Sequence, residues 1–128
     1  MSLLPMEKFA QFRPDVIVGV SRGGLVPAAI VAGRLGARLV SAHASLYDDS
    51  KPAKKLRQAP SVDLQGQGFQ GMRVLIIDDI SNSGATLDAV KRAVLSTGAS
   101  DAATFCLLGK SDLSNRPFEG CVKFPWEN

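Results

Sequence analysis

Two adjacent carboxylates followed by a run of small hydroxyl residues mark the stretch of the chain richest in chemistry: Asp78-Asp79-Ile80-Ser81-Asn82-Ser83-Gly84-Ala85-Thr86. It follows the apolar run Val74-Leu75-Ile76-Ile77 and precedes Leu87, Val90 and Val94 at helical spacing. A loop of hydroxyls and glycine that opens a helix turns backbone N–H groups and the positive end of the helix dipole toward an anion. Ser81, Ser83 and Thr86 add hydroxyl donors, and Gly84 admits close approach of a phosphate. Paired carboxylates at a strand tip can hold vicinal hydroxyls or a hydrated magnesium ion. A phosphate cradle beside a diol clamp describes a site for ribose 5-phosphate. Either feature alone has a plain reading, as a helix cap or as two exposed aspartates. Joined directly after a buried strand, they point to function. Two other phosphate motifs are excluded: there is no G-x-x-x-x-G-K-[ST], and the stretch from Gly19 to Gly24 lacks the G-x-G start of a dinucleotide fingerprint.

The elements that must position this site can be read around it. Met6, Phe9 and Phe12 recur every third residue, which predicts a short helix that ends before Pro14. Val16-Ile17-Val18-Gly19-Val20 is a β-branched run suited to a strand buried on both faces. Ser21-Arg22-Gly23-Gly24 turns the chain into an aliphatic helix over 25–35, with Pro27 in its first turn and Gly36 as its stop. Arg22, between a buried strand and two glycines, is a candidate anion contact rather than an ordinary turn arginine. A second strand is predicted over 38–46 and a third over 74–77, followed by a polar loop over 80–85. A helix then carries Leu87, Val90 and Val94 on one face and Lys91 and Arg92 on the other, and Gly98 closes it. A fourth strand is predicted over 102–108. The stretch 47–70 is long, polar and rich in Lys, Asp, Gln, Pro and Gly, as functional loops often are. Its Lys51, Lys54, Lys55 and Arg57 read equally well as a solvated face or as contacts to an anion. Strands alternating with helices predict an α/β fold: a doubly wound, mostly parallel sheet with flanking helices, in which ligands bind at the carboxyl ends of the strands.

Composition sets the outer bounds. The 128 residues suit a single domain over 1–128, and 45% hydrophobic with 21% charged residues is ordinary for a globular protein. A net charge of +3 suits small anionic ligands; no basic run interleaved with aromatics predicts nucleic-acid binding. No apolar stretch is long enough to span a bilayer, and residues 1–12 do not read as a signal peptide, so a cytosolic protein is expected. Cys106 lies in an apolar run and reads as a core residue; with Cys121 it makes no disulfide framework. His43 reads as structural.

The segment 74–86 resembles the phosphoribosyl pyrophosphate signature of the type I phosphoribosyltransferases. Val18-Gly19-Val20-Ser21-Arg22-Gly23-Gly24-Leu25-Val26-Pro27-Ala28 is similar to the pyrophosphate loop of the xanthine-guanine and hypoxanthine branch. Ser45-Leu46-Tyr47-Asp48 resembles the start of that branch's mobile catalytic loop, and Phe124-Pro125-Trp126-Glu127 resembles its ending. The resemblance implies transfer of a 5-phosphoribosyl group from phosphoribosyl pyrophosphate to a purine base, with Mg2+ as cofactor and a homodimer or homotetramer as the assembly. It implies that Asp78 and Asp79 hold the ribose hydroxyls, directly or through the metal. Ser81, Asn82, Ser83, Gly84, Ala85 and Thr86 would bind the 5-phosphate, and Ser21, Arg22 and Gly23 the pyrophosphate, with a non-proline cis peptide near Ser21 and Arg22. Asn82, Arg22 and Tyr47 join the acidic pair as catalytic candidates. Lys110, Ile80 and Phe118 are the base-binding candidates. Residues 47–70 would be the mobile catalytic loop and 109–128 a reduced hood. Asn82 stands where the purine branch usually has aspartate, and asparagine cannot take a proton from the base. Two alternatives therefore stay open: a regulator that binds phosphoribosyl pyrophosphate or nucleotide without turnover, and a transferase for another nucleobase.

Overall fold

The computed structural model describes residues 4–45, 61–81 and 84–116. The chain runs α1 (Met6–Phe12), β1 (Val16–Val20), α2 (Leu25–Leu35), β2 (Arg38–Ser45), β3 (Ser61–Asp63), β4 (Arg73–Ser81), α3 (Ala85–Ser96), β5 (Asp101–Ser111) and β6 (Ser114–Arg116). The strands form one sheet in the order β3-β2-β1-β4-β5-β6. The inner four are parallel, and β3 and β6 lie antiparallel along the two margins. This is the doubly wound α/β sheet the sequence predicts, with two marginal strands added.

Every residue of β1 is buried, because helices cover both faces of the parallel sheet. On one face, Val74 and Ile76 of β4 pack with Leu87, Val90 and Val94 of α3. On the other, Leu75 and Ile77 pack with Ala28 and Val31 of α2 and with Phe9 of α1. Phe9 meets Phe105 edge to face, with ring centres 5.0 Å apart. Gly19 brings α2 close to β1, since a β-carbon there would stand 2.9 Å from that of Ala28. Among the described residues, no helix is long and apolar enough to cross a membrane.

Three expectations are revised. Residues 61–70, read as the end of one long loop, contain β3 and the fully buried Phe69, whose N–H donates to Thr97 Oγ1 at 3.1 Å. The third strand does not stop at Ile77: β4 continues through Ser81, because parallel pairing with β5 runs on to Ser81 opposite Gly109. The fourth strand likewise extends to Ser111 and turns back as β6, so 109–116 is a hairpin rather than irregular tail. His43 lies on β2 opposite Asp63 and is exposed.

At the amino-terminal edge of the sheet, Arg73 joins three elements. Its Nε donates to the Phe12 carbonyl at 2.7 Å, its Nη1 pairs with Asp101 at 3.2 Å, and its guanidinium lies 4.3 Å from the centre of the Phe12 ring. Its backbone N–H donates to Asp15 Oδ2 at 2.9 Å, and its carbonyl accepts the Asp15 N–H at 2.8 Å.

Candidate active site

The opposite, carboxyl-terminal edge carries the predicted chemistry. Asp78 and Asp79 lie in the last part of β4, after the buried run that ends at Ile77. Asp78 is 9% exposed. Its Oδ1 accepts the Asp79 N–H at 2.8 Å, and Asp79 Oδ1 accepts the Ile80 N–H at 2.8 Å. Burial, reinforced by the neighbouring Asp79 carboxylate, pushes Asp78 up to about 8. A buried carboxyl held this far from its ordinary range is a functional-site candidate.

The glycine loop from β1 sits directly against this pair. Ser21 N–H donates to the Ala42 carbonyl at 2.7 Å, which ties the loop to β2, and Gly24 N–H donates to Val20 O at 2.9 Å. The Ser21–Arg22 peptide is cis, as the resemblance implies. Any β-carbon on Gly23 would overlap the Asp79 carboxylate. One on Gly24 would overlap the Ile77 carbonyl and stand 2.9 Å from Asp78 Cα. Glycine at both positions therefore lets the loop and the acidic strand share one small volume. Arg22 and Gly23 are exposed at its rim, and Arg22 makes no ion pair among the described residues.

Gly84, with φ of 81°, turns the chain into α3 and is its N-cap; its carbonyl accepts the Asp88 N–H at 2.9 Å. Gly84, Ala85 and Thr86 are partly exposed at the positive end of this helix. Ile80 is half-buried and packs on the other face of the sheet, in the cluster that holds Ile77 and Phe105. Ser81 ends β4, and its buried hydroxyl has no hydrogen-bond partner among the described residues. Lys110 is the first β5 residue beyond the last pair with β4. Cys106 is buried and its thiol is pushed up, chiefly by burial, so it is not an activated thiolate. Tyr47, Asn82, Ser83 and Phe118, and the lid residues Lys51, Lys54, Lys55 and Arg57, lie outside the described residues.

An acidic strand tip, a glycine loop seated against it and a helix opening beside it thus converge at one edge. Residues 6–125 match the phosphoribosyl transferase domain family. The chain belongs to this family. It is similar to the xanthine-guanine phosphoribosyltransferase of Cereibacter sphaeroides, 38% identical over 78 residues, an alignment covering 59% of this chain and 44% of that protein. It is also similar to the xanthine-guanine phosphoribosyltransferase of Gluconobacter oxydans, 29% identical over 95% of this chain and 73% of that protein. Among solved structures, the purine phosphoribosyltransferase of Pyrococcus horikoshii superposes with a TM-score of 0.76 at 31% identity, over 96% of this chain and 84% of that one.

Proposed function

We propose that the protein transfers the 5-phosphoribosyl group of phosphoribosyl pyrophosphate to a 6-oxopurine (guanine, xanthine or hypoxanthine), releasing pyrophosphate, in cytosolic purine salvage. The observation that carries this reading is the seating of Gly23 against the Asp79 carboxylate, which makes one site of the pyrophosphate loop and the diol clamp. Two similar proteins named xanthine-guanine phosphoribosyltransferase support the choice of base class.

In this reading Asp78 and Asp79 hold the ribose hydroxyls, directly or through magnesium. The donor set fits that ion. Two adjacent carboxylates lie in the last part of β4, and magnesium usually takes one or two carboxylates and completes its shell with water and substrate oxygens. A cation held by this pair would offset the cost of ionising Asp78 that burial and the neighbouring carboxylate impose. When bound, it supplies charge neutralisation at the departing pyrophosphate.

As the bond from C1 to pyrophosphate breaks, the sugar carbon becomes cationic and oxocarbenium-like. Such a reaction needs positioning, charge stabilisation and exclusion of water more than a nucleophile. Ser21, Arg22 and Gly23 hold the pyrophosphate. Asn82, Ser83, Gly84, Ala85 and Thr86 hold the 5-phosphate at the positive end of α3. Ser81, at the end of β4 just before this loop, adds to them a buried hydroxyl that has no partner among the described residues. Tyr47 and the segment after it close over the reacting atoms. Lys110 donates to the 6-oxo group, with Ile80 and Phe118 against the ring. The assembly is a homodimer or homotetramer, which light scattering checks.

Asn82 can hydrogen-bond the base but cannot accept its proton, and this residue favours the second reading, a regulator that binds without turnover. One experiment separates the two. The protein is incubated with magnesium, phosphoribosyl pyrophosphate and guanine, xanthine, hypoxanthine or adenine in turn. Nucleotide is expected with at least one 6-oxopurine, and the double variant Asp78→Asn, Asp79→Asn is expected to lose at least about 100-fold in rate. Binding of phosphoribosyl pyrophosphate without product from any base would select the regulator. Absence of binding by calorimetry would remove both readings.

A further inference from the structure

Residues 109–116 look like polar loop in sequence, yet they are fastened at several points. Past Ser81 opposite Gly109, β5 has no β4 neighbour, and the position of Lys110 depends on the hairpin that carries it. The turn of that hairpin, Asp112 and Leu113, folds back onto Thr104. Asp112 Oδ2 accepts the Thr104 N–H at 3.1 Å, and Thr104 Oγ1 accepts the Asp112 N–H at 3.0 Å. The Thr104 carbonyl accepts the Leu113 N–H at 3.0 Å, and Ser111 Oγ accepts the Cys106 N–H at 3.2 Å. Thr104 itself is buried in the middle of β5, opposite Ile76.

The same Asp112 oxygen also takes the ammonium of Lys91 at 2.8 Å. Burial alone would raise the Asp112 carboxyl; Lys91 and the Thr104 donors outweigh it and hold the group below its usual range. Lys91 is on α3, the helix that Gly84 caps and that opens with Ala85 and Thr86. One carboxylate therefore joins the hairpin to the sheet on one side and to the phosphate-side helix on the other.

We propose that Asp112 is a positioning residue for the nucleobase: it sets the distance between the β5–β6 hairpin bearing Lys110 and the α3 helix that opens on the 5-phosphate. This deepens the transferase reading and rests on it. Asp112 touches no substrate; it acts through Lys110. The plain alternative is that the turn only covers the outer edge of β5. An exposed ion pair by itself contributes little to stability. A carboxylate shared between a buried strand's N–H and a helix lysine has a narrower geometric role, because displacing it moves the hairpin relative to the helix.

Steady-state kinetics with each substrate varied, together with calorimetry of ribose 5-phosphate and guanosine monophosphate, tests this. Asp112→Ala is expected to raise KM for the base about tenfold while KM for phosphoribosyl pyrophosphate stays within about twofold. Lys91→Met, which removes only the tie to the helix, is expected to produce a smaller shift of the same kind, and Lys91→Arg to restore it. In calorimetry, Asp112→Ala should weaken guanosine monophosphate but not ribose 5-phosphate. Equal weakening of both ligands, or a lower melting temperature with both KM values unchanged, would show a merely structural turn and overturn the proposal. A wild-type protein that binds neither ligand would instead sink the transferase reading, and this inference with it.

Discussion

The two ends of the parallel sheet handle charge in opposite ways. At the amino-terminal edge, the Arg73 backbone is paired with Asp15, its side chain reaches Phe12 and Asp101, and its cation lies over an aromatic ring. At the carboxyl-terminal edge, Asp78 is buried beside a second carboxylate, Arg22 is exposed, and the Ser81 hydroxyl is buried with no partner among the described residues. A buried unpaired polar group costs about 1–3 kcal/mol. Such costs persist where a ligand completes the set. The amino-terminal edge is organised for stability, and the carboxyl-terminal edge leaves groups uncompensated, as the proposed binding role requires.

The sharpest way to break this contrast is Gly23→Ala. The new methyl group collides with the end of the Asp79 side chain, which can rotate away. Turnover is therefore expected to fall about 100-fold with little change in melting temperature. A large drop in melting temperature instead would mean that the glycine loop supports the fold rather than the site.

A second, smaller effect concerns Asp78 and pH. The unfolded chain ionises this group near 3.8, whereas the folded protein holds its proton to about 8. Between these values the unfolded state binds fewer protons, so ionisation favours unfolding and stability falls as pH rises. Asp78→Asn removes that penalty. The variant should be more stable than the parent by on the order of 2 kcal/mol at pH 7.5, with the gap closing toward pH 4, while phosphoribosyl pyrophosphate binding is lost. A gap independent of pH in thermal melts would contradict the burial argument.

The smallest effect is expected at the other end of the sheet. Arg73→Met should lower stability by about 1 kcal/mol in urea unfolding, because one side-chain hydrogen bond, a ring contact and a half-exposed ion pair are removed. Both KM values should be unchanged. A shift in either would show that the two edges are coupled through β4.

Much of this organisation was legible in the residues. The limits of β1 and α2 follow from an uninterrupted apolar run, two glycines, Pro27 and Gly36, and all four are local signals. The acidic pair was legible because carboxylates directly after a buried strand are unusual. The continuation of β4 through Ser81 was not legible, since Asp-Asp-Ile-Ser looks like loop until β5 is known to run beside it. Phe69 was hidden in a polar context, and it is buried in a cluster with Val90 and Val94, which lie far along the chain. The hairpin after Gly109 was missed for the same reason: Asp112 and Thr104 gain meaning only through mutual contact. Gly109 carried the one available hint. Its φ of 108° and the overlap that any β-carbon would make with the Ser81 carbonyl mark the point where the chain bends. Asn82, Ser83, Tyr47 and Phe118 lie outside the described residues, and their roles rest on resemblance alone.

The marginal strands bear on how the folded chain behaves in a crowded solution. A parallel sheet this apolar would offer neighbouring molecules two open rows of amide and carbonyl groups. Instead, among the described residues, each margin ends in a three-residue antiparallel strand, Ser61–Asp63 on one side and Ser114–Arg116 on the other. Short polar borders of this kind are poor templates for intermolecular strand addition. Clipping or mutating either border should therefore first appear as self-association on storage, well before any loss of folded structure.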